Sequence, residues 1–197
     1  MADNEKTVSC IPIRGAYDAL TEILGENART IVLRGAGLSR IINEPPPYSW
    51  DREFTNEEQV EIFHETIKLV GPVGAQGVIR QIGYRGIEAS VVKFGILDSI
   101  KDLGQAERFN KAVEFFRSAI NKGLVVPGAA DLVSLDVSDC LVCEGVSNKK
   151  PYCSHYAGCV QFLADWVFGK GAYLARETRC KALGDPTCLF EVEARPA

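Results

Sequence analysis

The chain has 197 residues, 46% of them apolar and 24% charged, and a formal net charge of −4. That balance describes a globular domain able to bury a core without disulfide staples. It lacks a Lys/Arg-dense run that would seat a nucleic-acid backbone and an apolar stretch of ~18 residues that would span a membrane, so neither partner is expected.

The N-terminus, MADNEKTVSC, has no basic start followed by an apolar run, so no secretory signal is read and a cytoplasmic setting is expected. Residues 1–14 are read as an extension and 15–197 as one domain. "GAYDALTEILGENARTIVLRGAGLSRIIN" predicts two helices broken near Gly25. The three prolines of "EPPPYSW" (44–50) forbid a regular helix there. Thr55 and Glu58 then spell a capping box, and Val60, Phe63, Ile67 and Val70 follow at helical spacing. Residues 71–104 predict one or two glycine-interrupted helices. Phe109, Val113, Phe116 and Ile120 mark another helix over 105–122.

The pattern changes near 124, which divides a helical part (15–123) from a sheet-bearing part (124–197). Val133, Leu135 and Val137 alternate with Ser134 and Asp136, the mark of a half-buried strand. "CLVCEGVSNKKP" reads as a loop, residues 152–169 as a helix, and "AYLARET" and "TCLFEVEA" as two strands joined through Gly184-Asp185-Pro186. Helices first, then strand, helix, strand, strand, predict an α+β (α/β) fold: N-terminal helices on a small antiparallel sheet, with a C-terminal helix and β-hairpin.

Six of the seven cysteines fall between 140 and 188. In a reducing compartment such clustering indicates metal ligands, redox groups or buried side chains rather than a disulfide framework. On a helical wheel of about 100° per residue, Tyr156, Val160, Leu163, Ala164 and Val167 fall within roughly 80° of Cys153. His155 lies roughly 160° away and so is a poor partner for Cys153 on one metal. It begins a second apolar line, His155, Cys159, Phe162 and Trp166, which reads as core, pocket wall or subunit interface.

Cys180 and Cys188 flank the hairpin turn. Glu177 can join them only if the strand bulges near Thr178 and Arg179, because positions 177 and 180 of a regular strand face opposite ways. Three thiolates and one carboxylate would close a tetrahedral Zn²⁺ site of structural type. The spacing equally admits inert buried thiols. Cys140 and Cys143 form a C-x-x-C pair, a second thiol pair with metal, redox or loop use open to it. Cys10 stands alone.

"CSHYAG", a helix and "ETRCKALGDPTCLFEV" together resemble the 4-vinyl reductase domain family, and "LGENARTIVLRGAGL" is similar to its N-terminal helices. The resemblance covers roughly residues 15–194. It implies a fold related to vesicle-tethering TRAPP subunits and nitric-oxide-signalling ligand-binding domains. It also implies a structural zinc held by Cys153, Glu177, Cys180 and Cys188, and a buried pocket for a small hydrophobic or aromatic molecule, for which Tyr156, Leu163 and Trp166 are the candidate lining. The expected function is that of a sensor or carrier, a homodimer whose ligand state a partner protein reads. The alternative is an accessory protein or reductase acting on a vinyl-bearing tetrapyrrole. No G-x-G-x-x-G follows a strand to hold a hydride donor, and no acid/base pair stands out, so catalysis is the less expected of the two.

Overall fold

The structure is a computed structural model that describes residues 7–120 and 123–196. A short β1 (Thr7–Val8) leads into α1 (Cys10–Leu24) and α2 (Glu26–Gly35). Gly25, at φ 85°, separates the two helices, a backbone angle that suits glycine. β2 (Phe54–Thr55) pairs with β1 and opens α3 (Asn56–Phe94). The Thr55 hydroxyl accepts from the Glu58 N–H while the Glu58 carboxylate accepts from the Thr55 N–H, so the capping box forms as expected.

α3 is two helices in series. Gly71 sits at φ 76° and Pro72 follows it, at a first-turn position where the missing N–H costs nothing. α4 (Gln105–Ile120) buries Phe109, Val113 and Phe116. The sheet then forms from β3 (Leu124–Pro127), β4 (Val133–Val137), β5 (Tyr173–Arg179) and β6 (Cys188–Ala194), antiparallel in the order β3-β4-β6-β5. α5 (Ser154–Phe168) lies between this sheet and α3. The α+β architecture expected from the sequence is therefore present. β1, β2 and β3 are additions to it: two are only two residues long, and β3 has no alternating pattern, with Leu124 exposed. The boundary placed after residue 14 falls inside α1, whose Cys10 and Ile13 are fully buried.

α5 is apolar on both sides because it is covered on both sides, by α3 and by the sheet. The crossing with α3 depends on two glycines. A Cβ on Gly83 would collide with the His155 carbonyl oxygen, and one on Gly158 with the Arg80 carbonyl oxygen. Neither obstacle is a side chain that could swing aside, so the backbones touch only because both residues lack a side chain.

Gly158→Ala is therefore expected to destabilise the chain by at least about 3 kcal/mol in urea unfolding. Gly77→Ala, in α3 with nothing near the added carbon, should stabilise it by about 0.5–1 kcal/mol. Similar effects at the two positions would contradict the close crossing.

Candidate metal centre and adjoining cavity

Three chain segments converge at the N-terminal end of α5. The first is a single 3₁₀ turn, Leu141–Cys143, bounded by Cys140. The second is Cys153, which occupies the N-cap of α5. The third is the β5–β6 hairpin with Glu177, Cys180 and Cys188. Hairpin pairing runs Glu177 opposite Phe190 and then Arg179 opposite Leu189, so Thr178 is the extra residue of a bulge. This is the irregularity that the sequence required for Glu177 and Cys180 to face one point. Another 3₁₀ turn, Lys181–Leu183, then returns the chain through Gly184 in the left-handed region.

The result is one cage of five thiols and a carboxylate. Cys153 Sγ lies 2.9 Å from Cys140 Sγ, 3.1 Å from Cys143 Sγ and 3.7 Å from Cys188 Sγ. Cys143 Sγ lies 3.6 Å from Cys180 Sγ and 3.7 Å from Cys188 Sγ. All five cysteines are buried and free of disulfides. The four residues singled out from the sequence are thus neighbours, and Cys140 and Cys143 are part of the same cluster rather than a separate pair. Cys10 and Cys159 are elsewhere.

The cage fits a cation on three grounds. A tetrahedral ion with metal–sulfur bonds of about 2.3 Å places its sulfurs about 3.8 Å apart, close to the three longer separations. The Glu177 Oε2 accepts from the Cys153 N–H at 2.8 Å, yet the buried Oε1 has no hydrogen-bond partner among the described residues. Such an orphaned oxygen is costly unless something electropositive meets it. Lastly, burial and then the adjacent Cys180 thiol push the Glu177 carboxyl up to about 10. The Cys180 thiol is pulled down to about 4, chiefly by its contact with Cys153, while the Cys153 thiol is driven up by Cys140, Cys143 and its other sulfur neighbours. Without a cation the cage favours one thiolate, at Cys180, and opposes ionisation of Cys153 and Glu177; with one, its donors can ionise together.

Beside the cage lies a cavity of about 540 Å³. Its wall comes from β1, the start of α1, α3, the end of α4 and the first turns of α5, with Phe63, Val91, Phe116, Tyr156 and Leu163 supplying apolar surface. Tyr156 and Leu163, named from the sequence, line it. Trp166 is not among its lining residues; it is half-buried, with the Arg108 guanidinium over its ring. His155 and Cys159 face the cavity from the second apolar line of α5. Burial pushes the His155 imidazole down to about 4, so it is neutral at pH 7. Its Nδ1 has no hydrogen-bond partner among the described residues, and its ring packs against Phe63 and Tyr156 at centroid distances of 5.1 and 5.5 Å.

The sequence identified the face carrying His155 and Cys159 and admitted pocket wall as one of its uses, beside core and subunit interface. Its i, i+4, i+7 spacing was the available signal. The contributions of α3 and α4 could not be read, because nothing local marks a core residue as cavity-facing.

No family model matches the chain. Over 87 residues it is 31% identical to the uncharacterized protein MJ0745 of Methanocaldococcus jannaschii, a match that covers 44% of this chain and 47% of that protein. The chain thus spans about half the length of the curated relative it matches. In structure it is similar to an H-NOX protein from S. oneidensis, solved in the Fe(II)NO ligation state. The TM-score is 0.60 at 13% identity, covering 95% of this chain and 99% of that one. A vinyl-4-reductase family protein from Methanocaldococcus jannaschii is a looser likeness, with a TM-score of 0.40 at 15% identity over 84% of this chain and 93% of that one. The chain shares the H-NOX fold. Among the described residues no helix is long and apolar enough to cross a membrane.

Proposed function

We propose that the chain is a small-molecule-binding module of the 4-vinyl reductase type, a sensor or carrier for a hydrophobic or aromatic ligand, with zinc in the thiol–carboxylate cage as a structural element. The observation that carries this reading is the cavity of about 540 Å³ faced by His155, whose Nδ1 has no hydrogen-bond partner among the described residues, and walled by the helix whose N-cap is a cage thiol. A pocket of this size, with Phe63, Phe116 and Leu163 in its apolar wall and polar groups that include Arg52, Glu57 and Asp139, suits a ligand with an aromatic or aliphatic body and a hydroxyl or carbonyl. The ligand would satisfy His155 Nδ1 and displace no charged partner.

Cys153, Glu177, Cys180 and Cys188 are the proposed zinc donors, with Cys140 and Cys143 in contact with them. Thiolate donors and a carboxylate suit Zn²⁺, and a site closed by protein groups leaves no position for a reacting water. The zinc would therefore tie α5 to the hairpin rather than perform chemistry. No catalytic role is proposed for the chain. Phe115 on α4 and Leu124 on β3 are exposed apolar side chains that a second copy would cover. The proposed homodimer, and a protein that reads its ligand state, rest on that surface.

Removing zinc with a strong chelator should lower Tm by about 10 °C or more, since each kcal/mol is worth ~2–4 °C in a chain of this size. The Cys188→Ala variant should start near the lowered value and not respond to chelator. An unchanged wild-type Tm after complete metal removal would contradict a structural role.

The ligand reading is tested by calorimetric titration with 1-naphthol and naphthalene. Wild type should prefer 1-naphthol by about tenfold, the worth of one buried hydrogen bond, and His155→Phe should lose that preference. Failure of wild type to bind either probe would remove the aromatic-ligand reading. A haemin complex whose absorption spectrum depends on His155 would replace it with a porphyrin one.

A further inference from the structure

The geometry points to a binuclear centre in the cage: two zinc ions bridged by the thiolates of Cys143 and Cys188. This inference rests on the zinc reading above and extends it. Two sets of four donors have ligand atoms that all lie within 4.8 Å of one another: Cys140, Cys143, Cys153 and Cys188, and Cys143, Glu177, Cys180 and Cys188. The sets share Cys143 and Cys188, whose sulfurs are 3.7 Å apart. Two tetrahedra with a common edge describe this arrangement. One ion would take Cys140 and Cys153 as terminal donors, and the other Glu177 and Cys180.

A single ion does not satisfy the cage. Placed in the all-cysteine set, it leaves the Glu177 Oε1 orphaned in a buried position, with Cys180 beside it and uncompensated. In the other set, Cys140 and Cys153 remain pressed together at 2.9 Å with nothing between them and no use for their burial. Each choice strands two donors where water cannot reach them, as does the set Cys153, Glu177, Cys180 and Cys188, which leaves Cys140 and Cys143; buried donors are costly to leave unmatched. Two ions use all six. A thiolate has the lone pairs to bridge two cations, whereas the carboxylate stands at one end of the cage, where a terminal donor is needed.

Charge also permits it. Five thiolates, one carboxylate and two Zn²⁺ carry a net charge of about −2, the same as one zinc held by four thiolates. Backbone donors surround that charge: the Tyr152 N–H points to Cys180 Sγ and the Lys181 N–H to Cys188 Sγ, each at 3.4 Å. Cys153 sits at the N-terminus of a 15-residue helix, where a thiolate is favoured by the helix dipole. The Lys181 ammonium bonds the Ser138 carbonyl oxygen at 2.6 Å, beside the turn that carries Cys140.

The test is native mass spectrometry of the whole chain, purified under reducing conditions with zinc present, alongside elemental analysis. Two zinc ions per wild-type chain are expected. Cys140→Ala should hold one, at the Glu177 end, and Cys143→Ala should lose the pair. One zinc per wild-type chain, with the Cys140 thiol open to alkylation, would overturn the bridged pair while leaving the single-zinc reading intact. No zinc would overturn both, as would iron with acid-labile sulfide in its place. The wild-type count decides the matter even if a variant fails to fold.

Discussion

The C-terminal half of this protein depends on one crowded meeting of donors. Five thiols and a carboxylate from three separated stretches of chain are packed around Cys153, and packing of that kind is unfavourable for bare sulfur and oxygen atoms. Apart from the cysteines, loops 140–153 and 180–188 pack only a few apolar side chains against the core, among them Val142, Val146, Tyr152 and Ala182. A cation that draws the donors together would turn this cost into a cross-link between a loop, a helix N-terminus and a hairpin. The bulge at Thr178 makes sense in the same terms. It gives up one regular ladder position so that a carboxylate and a thiol three residues apart serve one centre.

Such a cross-link would bear directly on the cavity. Cys153 caps α5, and the next two residues after Ser154 are His155, which faces the cavity, and Tyr156, which lines it. Tyr156 also packs against Phe190, two residues beyond Cys188 on β6. On its other side α5 is pressed against α3 through Gly83 and Gly158, with no side chain between the backbones. The helix that forms one wall of the cavity is thus fixed at its start by the cage and along its length by the crossing. Such fixation reduces the ordering cost that a ligand would otherwise meet on binding. An occupant pressing on His155 or Tyr156 would be felt at the hairpin through the same few contacts.

Much of this was legible in the residues. The capping box at Thr55, the break at Gly25 and the doubly apolar α5 follow from local pattern, and each is present. The need for a bulge between Glu177 and Cys180 came from strand geometry alone. What was not legible has physical reasons. β1 and β2 are too short to carry a period, and β3 is an edge strand with an exposed leucine. The union of Cys140 and Cys143 with the other thiols depends on how a 3₁₀ turn folds back over the N-cap of α5, a long-range contact that spacing does not encode. The cavity is bounded by residues whose hydrophobicity is the same as that of filled core, so composition could not separate the two. H-NOX likeness, at low identity, speaks to the fold and leaves the site to be argued from these residues.

On the proposed reading, metal in the cage holds the cavity wall in place. Amide hydrogen exchange over α5, compared between zinc-loaded and chelator-treated protein, tests it most directly. Protection in residues 154–163 and in the β5–β6 hairpin should fall sharply when the metal is removed, while α1 and α2 keep theirs. Equal protection of α5 in both states would contradict it, and would leave the cavity standing on the α3–α5 crossing alone.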